Sequence, residues 1–251
     1  MNYVTQARRL RQLLRLCRKY MDESGDRRVS GGQADSALHA IMRLAIDHAS
    51  AVHALAEKSF HFASPSLCCA RAAFQAGTIA TWIGTPELPF EREGRWIGHF
   101  RGLGKFYEKH GAVLELNMPG IKRDLKAAFD TVNAAFEQVL QAQPGIRVVG
   151  TPDIRSILKA ADAEHLYAAY QSASEIIHIG PEAIIRSRQK AKDRAATQRI
   201  EEIEWTNSFN MAAWGAVSAT YFALLRNTHK HAQLQPLLDE QSRFKGILGD
   251  G

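Results

Sequence analysis

The chain has 251 residues, 45% of them hydrophobic and 23% charged, with a formal net charge of +6. This composition is typical of a globular protein with a sizeable core, and it argues against an intrinsically disordered chain. Because no apolar run reaches the roughly 18 residues that a membrane span needs, we expect a soluble protein with no membrane partner.

The cysteines bear on the compartment and on metal binding. There are three, Cys17 and the neighbouring Cys68 and Cys69, and none belongs to a C-x-x-C motif. An odd number without that spacing favours neither a disulfide framework nor a zinc site. The H-E-x-x-H motif of helical zinc sites is also absent. We therefore expect a cytoplasmic protein that uses no metal and no cofactor.

The first predicted helix, near 3–22, is rich in arginine and poor in acidic residues, as organelle transit peptides are. Its apolar residues nevertheless follow helical spacing, at Leu10, Leu13, Leu14 and Cys17. We favour a packed first helix over a transit peptide.

Helical patterns follow one another along the rest of the chain, and strand signals are almost absent. The predicted helices cover about 34–59, 66–83, 92–109, 121–142, 153–161, 164–178 and 198–230, with a weaker one near 233–245. Glycine and proline residues separate them, and only 146–149 has an extended pattern. From Trp205 to Leu225 the sequence is apolar on nearly all sides, which predicts a central buried helix.

These patterns predict the fold class and the domain organisation. We predict an all-α fold, a multi-helix bundle of about eight or nine helices. The whole chain, 1–251, is interpreted as a single domain because neither half is self-sufficient. A sub-boundary near 143–152, the longest break between helices, is left open.

The segment 91–111 mixes basic and aromatic residues and carries glycines at 94, 98, 102 and 104. Its GLGK sequence does not complete a phosphate-binding P-loop. His99 stands at the first glycine position of that motif, and Phe106 stands at its Ser or Thr position. The four-residue spacing of the glycines instead predicts close packing between helices.

A second basic segment lies between Ile184 and Arg199, with six basic residues and one acidic residue. Such a run can bind phosphate backbones electrostatically. No aromatic residue is interleaved to stack on bases. We favour a solvated helix or loop whose charge is balanced by Glu201, Glu202 and Glu204.

Arginine and histidine together could provide metal-free phosphodiester chemistry, since His moves protons and Arg holds phosphate. Three pairs are separated by four to six residues: Arg43/His48, Arg92/His99 and Arg226/His231. Random placement of this many residues would produce about as many pairs, so the spacing alone carries no information. Arg226 and His231, in the sequence RNTHKH, are the secondary candidates because a polar residue follows the arginine.

Two segments together resemble an uncharacterised family of all-helical prokaryotic proteins, which is similar to the HEPN-like proteins of abortive-infection and toxin systems. The first segment, SPSLCCARAAFQAGTIATWIGTPE (64–87), carries an Ala-Arg helix motif. The second, YQSASEIIHIGPEA (170–183), carries a stripe of Tyr, Ser and His followed by a turn. The resemblance implies Arg71, Tyr170, Ser174 and His178 as site residues. The chain departs from the family pattern at Gln75, where Glu is expected.

The resemblance implies an RNA-directed protein, a metal-independent ribonuclease or toxin of phage defence that binds RNA or another phosphate-bearing ligand. The alternative is a non-catalytic module that binds a protein or a nucleic acid. A homodimer is compatible with both. For the stripe itself, a polar cluster that fixes helix register is the alternative to a catalytic site.

Overall fold

The computed structural model describes residues 3–24, 32–117, 120–178, 180–227 and 231–245. Within these residues there are ten α-helices and no β-strand, which confirms the all-α prediction. The helices are α1 (Tyr3–Ser24), α2 (Gln33–Lys58), α3 (Ala63–Gly84), α4 (Pro89–Asn117), α5 (Ile121–Ala142), α6 (Ile154–Ala160), α7 (Tyr167–Ile177), α8 (Pro181–Lys192), α9 (Arg194–Asn227) and α10 (Gln235–Lys245).

The helix count slightly exceeds the predicted eight or nine because α8 was not predicted as an element of its own. Its sequence is strongly basic and has no continuous apolar stripe, so periodicity gives little signal there. Its start signal is present, however. Pro181 occupies the first turn directly after Gly180, where its fixed φ is favourable and its missing N–H costs nothing.

Helices α3 and α9 form the centre of the bundle, with α1 and α2 packed beside them. In α9, every residue from Ser208 to Thr220 is buried, which confirms the central helix predicted from the apolar sequence. In α1, Leu10, Leu13 and Cys17 are fully buried, as a packed first helix requires. One hydrophobic core includes residues of α1–α3, α6, α7, α9 and α10.

A buried ion pair joins α2 to α4. Arg92 donates from Nε to Asp35 Oδ1 at 3.1 Å and from Nη2 to Asp35 Oδ2 at 3.3 Å. Beside this pair, Glu93 Oε1 accepts the backbone N–H of Ala34, in the first turn of α2, at 3.0 Å. Burial raises the pKa of the Glu93 carboxyl above its ordinary value. The start of α2 is therefore capped by Glu93 of α4, since the N-cap residue Gly32 has no side chain for this role.

The glycines of α4 contact a different partner from the one predicted. Gly94 and Gly98 lie against the backbone of the extended segment 146–150, where a Cβ on Gly98 would be 2.0 Å from the Val149 carbonyl oxygen. The Val149 N–H donates to the Gly94 carbonyl at 3.2 Å. The prediction that these glycines allow close packing between helices was therefore wrong for these two positions. The sequence pattern correctly predicted an extended backbone at 146–149. This segment, called the strap below, lies along α4 and forms no sheet.

Helices α4 and α5 form a hairpin, and α5 packs chiefly against α4. The Phe100 ring of α4 contacts the rings of Phe129 and Phe136, with centroids 4.6 and 5.4 Å apart. Only Phe136 of α5 is buried, although the helix has a clear apolar stripe. The predicted helix 121–142 coincides with α5.

Helices α7 and α8 pack against the central pair, α3 and α9. Helix α7 packs against α3, and α8 packs against α9. This arrangement places the second resemblance segment directly beside the first.

Candidate functional site

The α7 stripe meets α3 at Arg71. The Arg71 Nε donates to Ser174 Oγ at 2.9 Å, and its Nη2 donates to Tyr170 Oη at 3.2 Å. The guanidinium carbon also lies 5.0 Å from the centroid of the Tyr170 ring, within the range of a cation–π contact. Three of the four residues that the resemblance implied are therefore in direct contact.

Helical geometry explains this arrangement. Residues four apart lie on the same face, so Tyr170 and Ser174 both face α3, while Ala173 on the same side is fully buried. The Ser174 hydroxyl also donates to the Tyr170 carbonyl at 3.0 Å, which leaves its lone pairs for Arg71. Arg71 makes no ion pair with any described carboxylate, so its charge is held by hydroxyl groups and an aromatic ring.

His178 lies one turn beyond Ser174, at the end of α7. Its backbone N–H donates to the Ser174 carbonyl at 3.0 Å, and Gly180 N–H donates to the Glu175 carbonyl at 2.8 Å to close the helix. The His178 side chain is exposed. It makes no hydrogen bond with another described side chain. Its catalytic role stays a prediction.

A polar cavity of about 870 Å³ lies between α7, α8 and α9. Its walls include Tyr170, Ser174, Glu175, Arg186, Asn207 and Asn210. Arg71 and His178 are not among the residues that line it. Arg71 instead holds two side chains that do, so it can act on a ligand through Tyr170 and Ser174.

Asn210 was missed by the sequence reasoning. It is only 5% exposed, and neither its Nδ2 nor its Oδ1 has a hydrogen-bond partner among the described residues. The Ser172 hydroxyl, in the same cavity wall, is buried without a partner as well. An unpaired buried amide costs about 1–3 kcal/mol, so such groups commonly mark a place where something else binds. The available signal was a lone Asn within the apolar run FNMAAWGAV of α9.

The basic residues of α8 are partly neutralised inside the fold. Glu204 of α9 is 1% exposed, and it accepts from Lys190 Nζ at 2.9 Å and from Ser64 Oγ at 3.0 Å. Arg186 Nη1 lies 4.0 Å from the same carboxylate. Local balance by Glu204, as the sequence suggested, is confirmed for Lys190 and Arg186. By contrast, Arg188 is exposed.

The secondary candidates serve a different part of the molecule. Arg226 donates to the carbonyl oxygens of Gly84 at 2.8 Å and Thr85 at 2.9 Å, and so caps the C-terminus of α3. His231 Nδ1 lies 2.6 Å from the Tyr221 hydroxyl. Neither residue lines the α7–α9 cavity, and the structure gives each of them a separate hydrogen-bonded role.

The pair Arg92 and His99 is also divided between separate contacts. Arg92 is held by Asp35, whereas His99 Nδ1 lies 2.9 Å from Thr151 Oγ1. Burial lowers the pKa of His99 below its ordinary value. Among the described residues, no group of three His, Cys, Asp or Glu side chains lies close enough together to hold a metal ion.

Comparison with known proteins gives one match. No family model and no solved structure matches the chain. The Sec-independent protein translocase protein TatB of Ruegeria pomeroyi is 31% identical over 122 residues, which are 47% of this chain and 68% of the relative. The chain therefore belongs to the TatB family. The similarity is confined to the matched segment, and the rest of the chain lies outside it. Each helix in the described ranges is too short or too polar to cross a lipid bilayer.

Proposed function

We propose that this protein is an RNA-directed, HEPN-like protein that holds a phosphate-bearing segment of RNA in the α7–α9 cavity. The observation that carries the proposal is the buried, unpartnered amide of Asn210, which lies in a cavity whose wall also contains the guanidinium of Arg186. The TatB match names a translocase and covers under half of this chain. The proposal therefore depends on the geometry of the site.

The cavity offers complementary groups for a nucleotide. Arg186 supplies charged N–H donors for a phosphate, and the Tyr170 and Ser174 hydroxyls supply further hydrogen bonds. The Asn210 amide offers one donor side and one acceptor side, the pattern that pairs with a base edge. Glu175, also in the wall, can accept from a ribose hydroxyl or an amino group. Arg71 orients both hydroxyls and adds behind them a positive charge that no described carboxylate pairs with.

Ribonuclease activity is the catalytic form of this proposal. From the end of α7, outside the cavity lining, His178 would accept the proton of a ribose 2′-hydroxyl as that oxygen attacks the adjacent phosphate. The bond from phosphorus to the 5′-oxygen would break, the leaving oxygen would take a proton from water, and the arginines would stabilise the developing charge. No metal enters this scheme. A cytoplasmic location, an effect as a toxin or in phage defence, and a homodimer belong to the same proposal.

The test measures RNA binding and cleavage separately in buffer that contains EDTA. Binding of a labelled single-stranded RNA is followed by fluorescence anisotropy, and cleavage is followed on a gel. Arg71→Ala and Asn210→Leu should each weaken binding by about tenfold or more. The first removes the hydrogen bonds that orient Tyr170 and Ser174 towards the ligand, and the second removes an amide that bonds the ligand directly. His178→Ala should retain binding and lose cleavage.

Matched controls come from exposed positions on other helices. Arg123 of α5 and His48 of α2 are both exposed, so Arg123→Ala and His48→Ala should change neither measurement. Circular dichroism confirms that each variant is folded. RNA binding that is equal in the wild type and the Asn210→Leu variant would refute the site, and cleavage that survives His178→Ala would refute the catalytic form alone.

A second candidate function is a non-catalytic interaction module, which the α4–α5 hairpin favours. The hairpin has an amphipathic helix, α5, of which only Phe136 is buried. The similarity to a protein named as a translocase also fits an interaction role. This candidate predicts no turnover of any RNA, and deletion of the hairpin should remove partner binding while the α7–α9 cavity stays intact.

A further inference from the structure

A second cavity, of about 650 Å³, lies further along the central pair, between α3, α6, α9 and α10. Its walls are largely apolar, with contributions from Trp82, Trp214, Phe222, Ile157 and Leu238. The volume is in the range of ordinary small-molecule sites, which are concave, mostly apolar and carry a few polar groups. None of its lining residues lines the α7–α9 cavity.

One cation is placed at the wall of this cavity. Arg95 of α4 donates from Nη1 to the Trp82 carbonyl, and its guanidinium carbon lies 5.6 Å from the centroid of the Trp82 ring. It makes no ion pair with a described carboxylate, and its remaining N–H groups have no described acceptor. Burial lowers the pKa of Arg95, because it desolvates the guanidinium more than the nearby Glu91 carboxylate compensates.

Apart from Arg95, the polar side chains of the cavity carry no formal charge, and they come from several helices: Thr81 of α3 and Thr85 at its end, Ser156 of α6, Ser218 and Tyr221 of α9, and Gln241 of α10. Ser218 of α9 is buried, and its hydroxyl makes no hydrogen bond with a described residue. Thr81 and Thr85 already donate to backbone carbonyls, at 2.9 and 2.6 Å, so their oxygens are left as acceptors. A ligand with several donors and acceptors would leave most of them unpaired against the apolar walls, which is costly. The chemistry therefore favours an apolar body with one anionic end.

We propose that this cavity binds a hydrophobic carboxylic acid, whose carboxylate pairs with Arg95 and whose apolar body lies between Trp82 and Trp214. A guanidinium pairs with a carboxylate through parallel N–H···O bonds, which fixes the orientation of the ligand. Indole rings provide large apolar contact area and favour edge-to-face contacts with an aromatic ligand. The inference is independent of the α7–α9 cavity and of the proposed RNA function.

The experiment uses the whole chain and measures binding by tryptophan fluorescence and by calorimetry. Two of the four tryptophans, Trp82 and Trp214, line the cavity, so an occupied site should change the emission. The probes are 2-naphthoate, its neutral counterpart 2-naphthylmethanol, and octanoate. The naphthoate should bind at least about tenfold more tightly than the alcohol, since a hydrogen bond to a charged group exceeds a neutral one by that margin.

Two variants locate the binding. Arg95→Gln should bring the naphthoate affinity down to that of the alcohol, and Ser218→Leu should place a larger side chain in the cavity and weaken binding of all three probes. Arg123→Gln, at an exposed site on α5, is the matched control and should bind as the wild type does. Thermal unfolding followed by circular dichroism shows whether each variant is folded.

Each outcome decides the proposal. Binding of naphthoate alone assigns an aromatic acid, and binding of octanoate assigns an aliphatic one. Equal affinity for the acid and the alcohol, affinity that is unchanged by Arg95→Gln or Ser218→Leu in a folded variant, or no saturable binding of either acid would overturn it.

Discussion

Gly77 of α3 and Gly215 of α9 lie back to back at the centre of the bundle. A Cβ atom on Gly77 would be 2.6 Å from the Gly215 Cα, and one on Gly215 would be 2.2 Å from the Ala73 carbonyl oxygen. Real Cβ atoms do not approach backbone atoms this closely, so no side chain fits at either position. The two glycines set the distance between the helices that carry Arg71 and Asn210, and thus the position of the candidate site.

Gly215→Ala should therefore destabilise the protein markedly. Overpacking of a tight core typically costs about 1–3 kcal/mol and more where backbone must move, so we expect a loss at the upper end of that range. Urea unfolding followed by circular dichroism measures it. The control is Gly102→Ala in α4, where nothing lies within 4 Å of the added Cβ. That substitution should stabilise the protein by about 0.4–1 kcal/mol, because alanine restricts the unfolded chain more than glycine does. Equal effects of the two substitutions would contradict the packing described.

Asn210→Leu should raise stability while it removes ligand binding. The substitution replaces an unpartnered buried amide with an apolar side chain of similar size, and relief of such a group is worth about 1–3 kcal/mol. Thermal unfolding and RNA anisotropy are measured on the same preparation. Asn133→Leu in α5 is the matched control, because its Oδ1 is also buried without a partner but lies in another cavity. A variant that lost both stability and binding would show that Asn210 is structural.

Glu93→Gln should stabilise the protein at neutral pH. The pKa of Glu93 is raised in the fold, first by burial, so the folded state favours the protonated carboxyl. Its contribution is therefore fully present below pH 4.5, the ordinary pKa, and is lost as pH rises through the higher pKa of the folded state. Gln keeps the acceptor for the Ala34 N–H without a titrating group. The stability of the variant should exceed that of the wild type at pH 7 and fall towards it at pH 4, and a parallel pH profile for the two proteins would refute this.

Asp35→Ala should be far more harmful than loss of an exposed acid. It leaves the guanidinium of Arg92, which is 3% exposed, without its carboxylate, and such a buried unpaired charge costs about 3–5 kcal/mol. Asp124→Ala is the control, because the ion pair between Asp124 and Arg123 is exposed and should contribute at most about 1 kcal/mol. Urea unfolding of the two variants gives the comparison directly, and similar midpoints would argue against a structural role for the buried pair.

Cys17 should resist alkylation in the folded protein. Burial raises the pKa of its thiol to about 12, so the reactive thiolate is scarce as well as inaccessible. Cys68 is exposed and should be modified first by iodoacetamide. Mass spectrometry of peptides follows both residues with time. Modification of Cys17 before the protein unfolds would show that α1 detaches from the core.

The helices were predictable where one face is apolar and the caps are local. Residues 121–142 have a clear stripe, and α5 has those bounds. The basic helix α8 has no such stripe, and it is held to α9 by the ion pair between Lys190 and Glu204. That contact joins residues of two helices and is not visible in local periodicity.

The candidate site was predictable only in part, because it is formed by contacts between helices that are distant in sequence. Resemblance indicated Arg71, Tyr170 and Ser174, which the structure brings into contact, while their role in catalysis stays a prediction. Spacing between Arg226 and His231 carried no information, because Arg226 reaches across to the end of α3. Asn210 could not be identified, since its importance depends on the absence of partners after all helices are packed.

The strap on α4 affects which parts of this protein can vary during evolution. Because Val149 is bonded to Gly94, the chain departs from the core and comes back to it at nearly the same point. Everything between these residues is joined to the remainder through adjacent ends, and such insertions are exchanged or resized with little penalty to the host. Helix α5, which packs chiefly on α4, could therefore be altered to acquire a new specificity without rebuilding the central helices, while Arg95 of α4 stays at Trp82.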